Sequence, residues 1–260
     1  MKAEEKQILY NLLKTADAYE YGYTREKFTG SPDFNDDNKI IGSSPTMTQG
    51  TNSSTIQESI TSMAQESNQS ATQGLSLDEL NAKIMRCTRC SLARTRTNVV
   101  PGMGVEHPDV LVIGEGPGHD EDIQGLPFVG KAGLLLDRML AAIGLDRKTN
   151  CYIANIVKCR PPENRNPFPD EQTACFSFLE TQIHILKPKM ILCMGKIAIE
   201  KITGQTVSIT AQHGEFFDYN GITVMPTYHP SALLRNEELK RPAWDDLKKF
   251  KKRLDELKTN

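Results

Sequence analysis

The chain reads as an α/β protein, a mostly parallel β-sheet with helices on both faces. Three observations predict this. Short apolar runs alternate with stretches of helical period, an order that packs most readily as a parallel sheet between helices. The runs are apolar throughout rather than every second residue, the mark of strands buried on both faces. The segment from Leu75 to Asn260 is of single-domain size, long enough for one core.

Residues 1–29 read as a short helical arm, with Ile8, Leu9, Leu12 and Leu13 forming a helical stripe within Lys2–Glu20. Its tyrosines at 10, 19, 21 and 23 are aromatic surface for docking on the main domain or on a protein partner. Residues 30–74 read as a linker. Between Ser43 and Gly74, 21 of 32 residues are Ser, Thr, Asn or Gln, with no aromatic and no Lys or Arg. Such a stretch buries too little apolar surface to offset its chain entropy.

Residues 75–260 then carry the domain. Ser76-Leu77-Asp78-Glu79 is a capping box opening a helix to about Met85. Asp109–Gly114 is a buried strand, Ala132–Ile143 a helix and Tyr152–Val157 a second strand. Pro169-Asp170 opens a helix towards Leu186. Lys189–Gly195 is a third buried strand, followed by a helix to Thr203. Tyr219-Asn220-Gly221 marks a hairpin turn, Thr223–Pro226 the last strand and Trp244–Leu257 a closing amphipathic helix. In such folds the chemistry lies at the carboxyl ends of the strands.

Composition narrows the class. No apolar run approaches the length of a membrane span, and the N-terminus has no hydrophobic signal core, so a cytoplasmic protein without membrane contact is expected. The net charge of −2 divides unevenly. Residues 1–74 hold 6 basic and 10 acidic residues; the remainder holds 25 and 23, and is mildly basic. That is compatible with a phosphate-bearing partner but does not demand one.

Six cysteines are present. Cys87-Thr88-Arg89-Cys90 is a metal-ligand pair or redox dithiol, and Cys159 and Cys175, in or beside loops, are candidates to complete a set of four. Four thiolates suit zinc or an iron–sulfur cluster, and spacing alone does not choose. Cys151 and Cys193 lie in apolar strands and read as buried packing thiols.

Four segments follow strands. Gly114-Glu115-Gly116-Pro117-Gly118, with Glu121 and Asp122, sets a carboxylate on a glycine turn; it lacks the Gly-Lys-Ser/Thr of a phosphate loop. A second segment holds Phe128 between proline and glycine, a platform for a flat ligand or a core filler. Asn155 sits in an apolar strand, expensive unless its amide is paired by a ligand edge or by backbone. His229-Pro230-Ser231 fixes an imidazole at the sheet edge, with Leu233-Leu234 on the following loop.

Together these blocks resemble the uracil-DNA glycosylase superfamily, specifically its iron–sulfur family 4. The resemblance covers about Cys87 to Leu257 and includes the cysteine spacing of two, 68 and 15 intervening residues. It implies a three-layer α/β/α sandwich with a [4Fe-4S] cluster on Cys87, Cys90, Cys159 and Cys175. It further implies hydrolysis of the N-glycosidic bond of deoxyuridine by a monomer acting on single- or double-stranded DNA in a bacterial or archaeal cytosol. Glu115 would orient water and stabilise the sugar cation, and His229 and Gly116 would meet the departing uracil. Phe128 would stack on the base, Asn155 would read it, and Glu121 would crowd its C5 position. Ser231 would hold a flanking phosphate, while Leu233, Leu234 and Arg235 would fill the gap left in the DNA. One departure from a covalently trapping relative is the short loop Arg160–Pro167, which predicts ordinary turnover. The competing expectation is a non-catalytic module binding single-stranded DNA or a replication partner, for which an intact Glu115, Asn155 and His229 set has no use.

Overall fold

The computed structural model describes residues 74–259; the arm read over residues 1–29 and the linker read up to residue 73 lie outside them. Helix α1 (Leu77–Met85) opens on the expected capping box. The Ser76 hydroxyl accepts from the Glu79 amide at 3.2 Å, and the Glu79 carboxylate accepts from the Ser76 amide at 2.9 Å. A 3-10 turn at Ser91–Arg94 follows. Then come β1 (Met103–Gly104), β2 (Val110–Gly114), α2 (His119–Gln124), α3 (Lys131–Ala141) and β3 (Cys151–Asn155). Next are α4 (Pro169–Leu186), β4 (Met190–Met194), α5 (Lys196–Thr203), α6 (Ile209–Gln212) and β5 (Phe217–Tyr219). The chain closes with β6 (Ile222–Thr227), α7 (Pro230–Arg235) and α8 (Lys240–Thr259).

The six strands form one sheet in the order β1-β3-β2-β4-β6-β5. The central four are parallel and each edge strand is antiparallel, so the expectation of a mostly parallel sheet holds. Alternate strand residues face opposite layers. Leu111, Ile113, Ile191 and Cys193 join a core with Leu80 and Ile84 of α1, Leu179 and Ile183 of α4, and Ala198 and Ile199 of α5. Val110, Val112, Leu192 and Met225 are equally buried on the other face, as are Leu136 and Leu140 of α3 and Leu247 and Phe250 of α8. That makes three layers. No helix among the described residues is long and apolar enough to cross a membrane.

Three local expectations change. The strand expected over Tyr152–Val157 ends at Asn155, because its partner β2 ends opposite at Gly114. Ile156 and Val157 instead donate their amides to the carbonyls of Gly114 and Glu115. The acidic stretch after Gly118, given no element of its own in the sequence reading, is helix α2. Finally, Leu233 and Leu234 lie in α7 and not on a loop: Pro230 starts the helix at its first position, and Leu233 is buried at 2% exposure while Leu234 stays at 41%. Leu233 is therefore a core residue, unavailable to fill a gap in DNA.

Candidate active site

The carboxyl ends of β2, β3, β4 and β6 open on one cavity of about 570 Å³. Glu115, Gly116, Glu121, Phe128, Asn155, His229, Ser231 and Arg235 all line it. Far-separated sequence blocks thus converge as expected.

The strand register explains the meeting. Gly114 pairs with Asn155 across β2 and β3. A Cβ at position 114 would lie 2.4 Å from Asn155 Oδ1 and 2.6 Å from Phe128 Cζ, so only glycine lets both side chains approach. Asn155 is buried, and its Oδ1 has no hydrogen-bond partner. An orphaned buried acceptor costs about 1–3 kcal/mol, unless something else fills the cavity.

Phe128 has a left-handed backbone, φ 52°, rare for a bulky residue. Its loop is held from two sides. Arg147 donates to the carbonyls of Pro127 and Phe128 at 2.8 and 3.0 Å. Glu121 Oε1 accepts from the amides of Val129 and Gly130 at 2.9 and 3.0 Å, while its Oε2 accepts from Gly118 at 3.1 Å. Glu121 thus ties two loops together. The Phe128 ring centres 5.5 Å from the His229 ring.

His229 caps α7. Its Nδ1 accepts from the Ser231 amide at 3.1 Å and lies 2.8 Å from Ser231 Oγ. An amide N–H can only donate, so Nδ1 is unprotonated and the ring proton resides on Nε2. Burial, with the nearby Arg235 charge, pushes the imidazole down to about 4, so the ring is neutral. Burial raises the Glu115 carboxyl above the usual carboxylate range. The cavity therefore combines a flat apolar face, an unpaired acceptor, a neutral N–H donor and a carboxylate.

A second, small pocket lies among Cys87, Cys90, Cys159 and Cys175, with Ile84, Phe178, Arg89, Arg96 and Lys158 around it. All four cysteines are free thiols. Arg96 donates to Cys159 Sγ at 3.1 Å, and the Lys158 amide to Cys175 Sγ at 3.3 Å. Burial pushes the Cys175 thiol up to about 11, and raises Cys90 and Cys159. Among the described residues, no three His, Cys, Asp or Glu side chains are gathered to hold a metal ion. Lys158 is fully buried, and its ammonium donates to the Asn155 carbonyl at 2.9 Å and to Gln182 Oε1 at 2.7 Å. Cys151 and Cys193 are wholly buried strand residues, as expected.

Sequence reasoning missed the partners of several groups. Asp122 is buried and accepts from the amides of Thr97 and Asn98. Glu171 is buried and accepts from Arg165, Ser91 and the Phe168 amide. Arg165 itself lines the cavity. Only an acid three residues after an N-cap position gave any hint of Glu171.

A cavity of this size at the carboxyl ends of a parallel sheet places the chain among α/β proteins with a small-molecule-sized site at the strand ends. The comparisons sharpen that class. The model of the uracil DNA glycosylase superfamily matches residues 101–252. A Type-4 uracil-DNA glycosylase of Thermotoga maritima is 45% identical over 179 residues, 67% of this chain and 93% of the relative. One of Archaeoglobus fulgidus is 40% identical over 183 residues, 67% of this chain and 92% of the relative. A Type-5 uracil-DNA glycosylase of Pyrobaculum aerophilum is 30% identical over 189 residues, 60% of this chain and 83% of the relative. The chain belongs to the uracil DNA glycosylase superfamily.

Proposed function

We propose that this protein is a monofunctional uracil-DNA glycosylase of DNA repair, hydrolysing deoxyuridine to free uracil and an abasic site. The observation that carries the reading is the unpaired, buried Oδ1 of Asn155 in a cavity shared with Glu115 and His229. Uracil satisfies it. Oδ1 accepts from N3–H while the amide NH₂ donates to O4; cytosine presents the opposite pattern and leaves both groups unpaired. A base inside a duplex or strand must first be turned out of the stack. Phe128 then covers one face of it, and Glu121, fixed by three amides, forms the wall a 5-methyl group would strike.

The C1′–N1 bond breaks with its electron pair passing to uracil, leaving positive charge on the sugar. His229 donates Nε2–H to uracil O2 as negative charge grows there, and the Gly116 amide assists. One preorganised donor of this kind is worth about 3 kcal/mol. Glu115, as carboxylate, faces the cationic sugar and orients the water whose oxygen bonds to C1′ as its O–H breaks, the released proton neutralising the uracil anion. Ser231 fixes the imidazole tautomer and stands at a flanking phosphate. Leu234 and Arg235 are the exposed residues of α7 assigned to the gap in the DNA.

The four-cysteine pocket fits a [4Fe-4S] cluster held by Cys87, Cys90, Cys159 and Cys175. Its donors are thiolates only, and Arg89, Arg96 and Lys158 supply the positive charge such an anionic group needs. The cluster would cross-link the segment before β1 to the loop after β3 and to α4; hydrolysis asks no electron of it. The protein acts as a monomer on single- or double-stranded DNA in the cytosol, and its arm is left to a protein contact.

The test is incubation with uracil-containing oligonucleotides, scored for alkali-labile abasic sites. Excision by the wild type, with slow excision but retained binding by His229→Ala, supports the reading. Binding without base release would replace it with the non-catalytic module.

A further inference from the structure

Phe168 is 54% exposed, a large aromatic side chain at the surface. It stands at the end of the loop joining β3 to α4, and its ring lies 3.7 Å beneath the Arg165 guanidinium. Arg165 lines the cavity, so the stacked pair is continuous with its rim. The pair is also rigid. Arg165 makes a two-pronged contact with Glu171 at 2.8 and 2.7 Å and donates to the Asn166 carbonyl at 2.9 Å. The Glu171 side chain has no solvent exposure and also accepts from the Phe168 amide at 2.8 Å and from Ser91 Oγ at 2.7 Å. Two consecutive left-handed residues, Glu163 and Asn164, shape the same loop, and Arg160 Nε donates to Asn164 Oδ1 at 2.7 Å.

Because Glu171 neutralises Arg165, the guanidinium is poorly suited to grip a phosphate. What the pair offers is a flat, braced surface, the phenyl ring backed by the guanidinium and half-exposed. Flat π-surfaces beside a basic groove are how proteins hold nucleobases without reading them. We propose that Phe168, backed by Arg165, is a stacking platform for an unpaired base flanking the nucleotide that enters the cavity. The ligand class is a nucleobase of the same DNA strand, of any sequence. This rests on the glycosylase reading for the identity of the strand.

The test uses a single-stranded oligonucleotide holding one 2′-fluoro-deoxyuridine, whose fluorine destabilises the sugar cation and prevents cleavage. 2-Aminopurine is placed one or two positions to either side. Wild-type protein is expected to change the fluorescence at one flanking position. Phe168→Leu should abolish that change and weaken binding by about 5- to 20-fold, the lower part of the range for a single stacked base. Phe168→Trp should restore both. Equal signal and affinity in Phe168→Leu would overturn the platform and leave the exposed ring to a protein contact. Excision of ordinary uracil by the wild type is scored separately. Its presence alongside an unchanged Phe168→Leu signal sinks the platform alone; its absence sinks the function reading on which the platform stands.

Discussion

The base cavity and the cysteine pocket flank one short stretch, Asn155 to Cys159, yet they treat their polar groups in opposite ways. In the cavity the Asn155 acceptor is unpaired and burial raises the Glu115 carboxyl, with no neighbouring cation among the causes. Around the cysteines the buried groups are bonded: Lys158 has two acceptors, Glu171 three donor residues, and Cys159 an arginine. Saturated groups hold a scaffold in one arrangement; unsaturated ones are kept for something that arrives.

The sharpest way to break that contrast is to mutate one group on each side. His229→Ala should slow single-turnover excision by about 10²- to 10³-fold, with folding and DNA affinity kept. A stability loss equal to the activity loss would place His229 with the scaffold instead. Among the bonded groups, Arg165→Ala leaves the buried Glu171 carboxylate without its cation and should lower the unfolding free energy in urea titrations. Arg165 holds the Glu171 carboxyl down at about 2, against an ordinary 4.5. Its contribution to stability is present in full above pH 4.5 and is lost as pH falls towards 2, so the wild-type advantage over Arg165→Ala should shrink across that window.

A smaller effect is expected for Asn155→Ala, which deletes both contacts to the base. It should reduce kcat/KM on uracil by roughly one to two orders of magnitude and narrow the preference over cytosine. A competition assay on mixed oligonucleotides reads the ratio. Smallest is the pH effect. Glu115 acts as carboxylate with its pKa raised, so excision should decline on acidification with a midpoint above 4.5, a limb absent in Glu115→Gln. His229, neutral down to about 4, adds nothing to that limb until lower pH.

The contrast also explains what the sequence could reveal. Glu115, Phe128, Asn155 and His229 each stand in a local context that does not suit them, such as an amide in an apolar strand or an aromatic between proline and glycine. Unsuitability is visible in one dimension. The mostly parallel sheet and the helices on both faces were equally legible, because burial on two faces leaves continuous apolar runs. The loop-tying contacts of Glu121 and Arg147 were not, because they run to backbone amides and carbonyls, which carry no residue signature. Leu233 misled for a related reason: a six-residue helix is too short to show a period, so its buried side looked like bare loop.

Gly114 has a consequence for variation in this chain. It adjoins both the amide and the phenyl ring, at 2.4 and 2.6 Å from where a first side-chain carbon would sit. On the proposed reading, even a methyl group there would force out either the discriminating side chain or the one that cushions the base. A single hydrogen atom at the tip of a strand thus guards both fidelity and grip, and neither can be relaxed there without endangering the other.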